Sequence, residues 1–190
     1  SYDEHIKIVD AEIESIIKRA QAYMQNIPQE EIRVHISLAY EFAKEAHKKD
    51  IRLSGEPYIS HPVAATEILL SLNPDISTIQ ACLMHDVIED TPYTYEDIKE
   101  AFGDDVANLC AGMEKLEKVR YRGEDRAIGS LRKMFVAMAD DLRVIFIKLS
   151  DRLHNMQTLI HHPKPEKRER IALETLNIYV PIAGRLGLYK

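Results

Sequence analysis

Val144-Ile145-Phe146-Ile147-Lys148-Leu149, the run VIFIKL, decides the fold class. Its β-branched residues favour a strand, and taken alone it reads as a short one. No other segment offers it a partner. The run is therefore read as the start of a buried helix over Leu142 to Leu159, and the chain as all-α.

Working outward, the remaining segments read as helices separated by turn chemistry. Downstream, Pro163 and Pro165 precede a last long helix from Glu166 to Ile182. Upstream lie a periodic run from Gly129 to Met138, a charged, mobile-looking stretch from Val119 to Ala127, and a helix from Asp104 to about Lys118. Thr94 can cap Tyr95 to Phe102, with Asp97 completing a weaker capping box, and Gly103 ends that element. Ser77 to Glu89 follows Asn73-Pro74-Asp75, with Ser77 as its cap, and Thr91-Pro92 stops it. Pro62 fits the first position of a helix running to about Ser71, after a turn-rich stretch from Asp50 to Pro62.

Two amphipathic helices open the chain. Ile6 to Met24 places Ile6, Val9, Ile13, Ile16, Ile17 and Ala20 near a 3.6-residue period, and Asn26 and Pro28 break it. Glu30 to Lys48 carries an inward stripe of Ile32, Ile36, Ala39, Tyr40, Ala43 and His47. No internal repeat or low-complexity tract interrupts the pattern, so residues 1–190 form one domain.

At 190 residues and 45% apolar content the chain can bury a sizeable core and is not disordered. No apolar run approaches the roughly 20 residues that span a bilayer, and the amphipathic opening is unlike a secretory signal. Cys82 and Cys110 are too few for a disulfide scaffold and lie in apolar helical patterns. The expectation is a cytoplasmic protein with reduced, buried cysteines. With 25 basic against 31 acidic residues, net −6, broad nucleic-acid binding is disfavoured. An anionic small molecule stays open, because a few arginines and a metal can create a local positive field.

The chemistry concentrates in ACLMHDVIEDT, Ala81 to Thr91. On one continuous helix, residues four apart share a face, which sets His85 near Glu89 and Asp86 near Asp90. Acids so close repel one another unless a cation neutralises them. A second polar stripe, Lys148, Asp151, Asn155 and Thr158, has spacings of 3, 4 and 3 along the helix that VIFIKL begins. With His61 before Pro62, the candidate ligands become His61, His85, Asp86 and Asp151. Two imidazoles and two carboxylates suit zinc, manganese or iron better than calcium.

Plainer readings compete for each residue. His61 could be an ordinary turn residue, Asp151 a surface partner of Arg152, and His85 to Asp90 a solvated acidic helix end. Cys82 reads as core, and neither Cys110 nor His47 departs from a packed helical position. The coincidence of the signals favours the metal site.

A spaced histidine, an adjacent His-Asp pair and a distant Asp resemble the HD metal-dependent phosphohydrolase superfamily. The resemblance is closer still to the hydrolase domain of the bifunctional RelA/SpoT-type alarmone enzymes. The resemblance rests on RLSGEPYISHP (Arg52 to Pro62), HDVIEDT (His85 to Thr91), KLSDRLHNMQTL (Lys148 to Leu159) and PIAGRLGL (Pro181 to Leu188). It spans essentially the whole chain.

That resemblance implies a multi-helix HD-domain phosphohydrolase fold and manganese-dependent hydrolysis of guanosine tetra- and pentaphosphate, (p)ppGpp, to GDP or GTP plus pyrophosphate. It implies His61, His85, Asp86 and Asp151 as metal ligands, and Glu89 and Asp90 as the acidic pair acting on the nucleophilic water. Arg52 would lie near the phosphates, while Lys148, Asn155 and Thr158 would line the nucleotide pocket. The chemistry agrees: an arginine presents a planar fork to phosphate, and an asparagine offers both donor and acceptor to a base or sugar.

Two positions depart from the family's pattern. Leu53 stands where a lysine usually follows the arginine, removing a positive charge near substrate. Glu114, in GMEKL, replaces a threonine and would repel an anionic substrate if it pointed inward. Nothing in the chain supplies a second nucleotide-transfer site. The expectation is the N-terminal hydrolase part of a longer enzyme, with synthetase and regulatory domains as its partners and no direct nucleic-acid or membrane contact, and the alternative is a small standalone hydrolase. The rivals are an HD phosphohydrolase acting on another nucleotide and an inactive alarmone-sensing domain.

Overall fold

The computed structural model describes residues 1–117 and 140–187, together with 133, 136 and 137. The stretch from Val119 to Ala127, and most of the expected helix from Gly129 to Met138, lie outside the described residues. The elements are α1 (Tyr2–Tyr23), α2 (Gln29–Ala46), α3 (Ser60–Leu69), α4 (Ile76–Leu83), α5 (Val87–Asp90), α6 (Tyr95–Phe102), α7 (Asp104–Glu117), α8 (Leu142–Gln157), α9 (Pro165–Glu174) and α10 (Val180–Arg185). Short 3-10 turns follow α3 and α8. Among the described residues there is no strand, only an isolated antiparallel bridge between Ile51 and Pro57.

The amphipathic patterns place the core. Val9, Ile13, Ile16, Ile17 and Ala20 of α1 are buried, as are Ile32, Ile36, Ala39, Tyr40 and Ala43 of α2. Each large aliphatic side chain removed from water contributes about 1.5–3 kcal/mol before entropy is counted. VIFIKL is the buried first half of α8, with Val144, Ile145 and Ile147 in the core. Helix α8 packs on α3 and α7, and α4 lies beneath them.

Close approach of α7 and α8 depends on a glycine. A Cβ at Gly112 would lie 2.8 Å from Val144 Cγ2, so only hydrogen fits at that crossing without displacement. The starts of three helices are drawn together by Arg143. Its guanidinium donates to Asp141, Asp75 and Asp105, and Asp75 and Asp141 also cap the starts of α4 and α8.

Several boundaries differ from the sequence reading for identifiable reasons. Asp75, not Ser77, caps α4 by accepting the Thr78 N–H at 2.8 Å. Helix α3 begins at Ser60, so Pro62 sits within its first turn, where no intrahelical N–H bond is lost. The last helix is not uniform, because a π-helical segment (Thr175–Tyr179) separates α9 from α10. The expected continuous helix from Ser77 to Glu89 is also broken: α4 stops at Leu83, and Met84 to Asp86 form a turn before α5.

Candidate metal centre and adjoining cavity

That break builds the site. On an unbroken helix neighbouring side chains diverge by about 100°. Within the turn, His85 Nε2 and Asp86 Oδ2 meet at 3.0 Å. Backbone bonds from Val87 N–H to Met84 O (3.0 Å) and from Asp90 N–H to Asp86 O (2.9 Å) hold the turn and start α5. The first turn of α3 brings His61, and the middle of α8 brings Asp151. One donor atom from each of His61, His85, Asp86 and Asp151 falls within 4.8 Å of all the others, and all four residues are buried.

The contacts within this cluster converge on Asp151. Its Oδ1 lies 2.6 Å from His61 Nε2 and 3.3 Å from His85 Nε2, while its Oδ2 accepts from Lys148 Nζ at 3.1 Å. Neighbouring groups orient each ligand. His85 Nδ1 lies 2.6 Å from the Cys82 carbonyl, so it carries the proton and Nε2 faces the cluster. Tyr58 donates its hydroxyl hydrogen to Asp86 Oδ2. His61 Nδ1 lies 2.6 Å from His154 Nδ1, with the rings stacked 4.9 Å apart.

Burial by itself would raise both carboxyls, but nearby positive charge overcomes it. Asp86 is held down to about 2, chiefly by His85, and Asp151 is lowered, chiefly by Lys148 and then by both imidazoles. Burial likewise opposes charge on His85, yet the two carboxylates raise its pKa. Two buried acids thus draw positive charge to one point, the electrostatic demand that a divalent cation meets. Mixed nitrogen and oxygen donors at this spacing, oriented by outer hydrogen bonds, fit a first-row divalent ion.

Glu89 and Asp90 do not share a continuous helix face with His85 and Asp86. They stand exposed on α5, at the edge of the cluster. Partial desolvation, followed by Glu117, Asp90 and Asp86, lifts Glu89 to about 7. Partial desolvation, followed by Asp86 and Glu117, lifts Asp90 to about 6. Both can exchange a proton near neutrality.

A cavity of about 410 Å³ adjoins the cluster through His61 and is lined by Arg52, Asn155 and Thr158 among others. Arg52 Nη2 donates to Thr158 Oγ1 at 3.0 Å, while its Nη1 is buried without a hydrogen-bond partner. Asn155 Nδ2 approaches Asp151 Oδ1 at 3.4 Å. The exposed Leu53 lines this cavity, and the half-buried Glu114 does not. Lys148 departs from expectation. It is buried between Asp151 and Glu117 and is not among the cavity-lining residues. A separate cavity of about 460 Å³, between α8 and the C-terminal helices, contains none of the candidate residues.

Tyr58, His154 and Glu117 were not singled out from the sequence. Tyr58 and His154 stand three residues from His61 and Asp151, in stretches already conspicuous, but spacing alone assigned them no role. Nothing local marks Glu117. It joins the site because α7 ends against Lys148 of α8.

A family model described as HD domain matches residues 39–189. The chain is 48% identical over 177 residues to the bifunctional (p)ppGpp synthase/hydrolase SpoT of Escherichia coli, covering 93% of this chain and 24% of that protein. It is 52% identical over 147 residues to a guanosine-3′,5′-bis(diphosphate) 3′-pyrophosphohydrolase of Haemophilus influenzae, covering 77% and 22% respectively. A solved structure of a metazoan ortholog of SpoT, described as hydrolysing ppGpp and playing a role in starvation responses, superposes with a TM-score of 0.63. It is 24% identical and covers 76% of this chain and 83% of its own, a likeness of fold. The chain spans about a quarter of the length of the curated relatives it matches. Among the described residues, no helix is long and apolar enough to cross a membrane.

Proposed function

The chain belongs to the HD domain family, and from that premise we propose that it hydrolyses guanosine 3′,5′-bis(diphosphate) and the corresponding pentaphosphate. Cleavage at the 3′ position releases pyrophosphate and leaves GDP or GTP. Relatives 48–52% identical carry that activity in their names. One observation carries the reading: His61 belongs both to the buried four-residue cluster and to the wall of a cavity holding an unpaired arginine nitrogen.

His61, His85, Asp86 and Asp151 would hold one divalent ion, manganese by the resemblance. Such an ion neutralises phosphate charge and lowers the pKa of water. Glu89 or Asp90 accepts the proton of the attacking water, a task suited to carboxyls titrating near 7 and 6. The water oxygen bonds to phosphorus as the bond to the ribose 3′ oxygen breaks, and that oxygen recovers a proton. Arg52 donates to phosphate oxygens through Nη1 while Thr158 fixes the guanidinium. Asn155 offers its amide to the base or sugar. Lys148 is a positioning residue that holds Asp151 from behind. His154 is pushed down to about 4 by burial and then by His61 and Arg52, so it is neutral at pH 7 and orients the His61 ring.

The parent protein would carry synthetase and regulatory domains beyond this one, as its relatives' lengths suggest, and would act in the cytoplasm. Alarmone turnover by the metal-stripped chain with manganese restored, products resolved, tests the reading. Pyrophosphate release that Asp86→Ala abolishes is expected. Tight binding without turnover, in folded and metal-loaded protein, would instead mark an inactive sensing domain.

A further inference from the structure

Resting on the alarmone reading, we propose that Lys167 and His162 form a second anion subsite, which takes the 5′-phosphates of a nucleotide whose 3′-diphosphate lies at the metal centre. Both residues line the cavity that His61 and Arg52 also line. His61 and Arg52 mark the end adjoining the cluster, where a 3′-diphosphate would sit. Ile51, Leu53 and Ile171 add apolar wall to the same space, a surface suited to a base. A ribose directs its 3′ and 5′ substituents away from each other, so a nucleotide anchored by one needs a separate partner for the other.

The chemistry of His162 and Lys167 suits that partner. His162 Nδ1 accepts the Lys164 backbone N–H at 3.2 Å, which puts the ring proton on Nε2 as a donor. Arg168 Nη1 donates to the His162 carbonyl at 2.7 Å and braces the segment. Lys167 is exposed and forms no ion pair among the described residues. Between positions 161 and 170, Lys164, Lys167, Arg168 and Arg170 outnumber Glu166 and Glu169, although the whole chain carries −6. Of these, Lys167 lines the cavity, in a segment whose charge runs against the overall balance, and it attracts a second phosphate group there. It also stands on the cavity that Leu53 lines without charge, offering the substrate a cation from another segment.

Equilibrium binding of two probes, guanosine 3′,5′-bis(diphosphate) and guanosine 3′-diphosphate, tests this assignment. It is measured on the manganese-loaded Asp90→Asn chain, with nucleotide integrity checked after each titration. Adding Lys167→Ala is expected to raise Kd for the bis(diphosphate) roughly tenfold, as for loss of one charge-assisted contact. The 3′-diphosphate should bind within about twofold of before, and Lys167→Arg should restore the difference. Equal weakening of both probes, or no change in either, would overturn the subsite while leaving the alarmone reading in place. Failure of both probes to bind the chain before Lys167 is altered, with folding and metal content verified, would remove that reading and the subsite with it.

Discussion

His61 Nε2 lies 2.6 Å from Asp151 Oδ1, although ninety positions separate them in sequence. The contact joins the first turn of α3 to the middle of α8. Two of the four candidate ligands depend on that helix pairing, because neither His61 nor Asp151 has a ligand partner near it in the chain.

Replacing Tyr58 with Phe removes the hydroxyl that holds Asp86 and keeps the ring that packs near His47 and His61. Loss of such a supporting hydrogen bond typically weakens metal binding by roughly 10–100-fold. Manganese titration of Tyr58→Phe should show a drop in affinity with the helical circular dichroism unchanged. An unaltered affinity would mean that Asp86 does not need this support.

Turnover should rise with pH. Glu89 and Asp90 must be ionised to accept a proton, and they titrate near 7 and 6, so kcat/KM is expected to climb across that interval as a coupled pair. Glu89→Gln and Asp90→Asn should each lower the rate by roughly 10²–10⁴-fold, as for a general base. A profile flat from pH 5 to 8 would exclude both carboxylates from the proton transfer.

The same shifts fix a sign for stability. A carboxyl with a folded pKa above its ordinary value binds more protons folded than unfolded between the two values. The contribution of Glu89 to stability in chelator should therefore fall as pH rises from about 4.5 towards 7 and level off above, while His154, held down to about 4, contributes with the opposite sign below about 6.5. Glu89→Gln should remove the first contribution and gain stability relative to the original chain as pH rises, which denaturant midpoints across that range measure.

Gly112→Ala places a methyl 2.8 Å from Val144 Cγ2 and should destabilise by about 1–3 kcal/mol through overpacking. Pairing it with Val144→Ala should recover part of the loss. Additive losses in urea unfolding would show that the crossing of α7 and α8 does not limit this site.

Lys148→Met removes the buried cation beside Asp151 and Glu117, leaving Asp151 without its principal counter-charge. Breaking a buried pair from one side typically costs about 3–5 kcal/mol. The metal-free variant should show a loss of that order, and manganese should raise its melting temperature more than it raises that of the original chain. Equal increments would indicate that Lys148 does not act through Asp151.

The apolar stripes of α1 and α2, the Thr94 capping box and the helical reading of VIFIKL were legible because period and local capping depend on neighbours within a few residues. Residue types with ligand chemistry stood out for the same reason. The break at Met84 to Asp86 was not legible. Nothing in LMHDV forbids helix, and the turn forms where His85 and Asp86 both point into the cluster.

From its sequence alone, the chain is determined to be all-helical, and it presents His61, His85, Asp86 and Asp151 as a coincidence of ligand types. Only the tertiary structure decided that these four meet, that Tyr58 and His154 orient Asp86 and His61, and that Lys148 braces Asp151 instead of lining the cavity. The physical reason is range. Helix formation is governed by residues three and four apart, whereas the centre is made by the packing of α3, α8 and a turn after α4, elements that a local pattern cannot place beside one another.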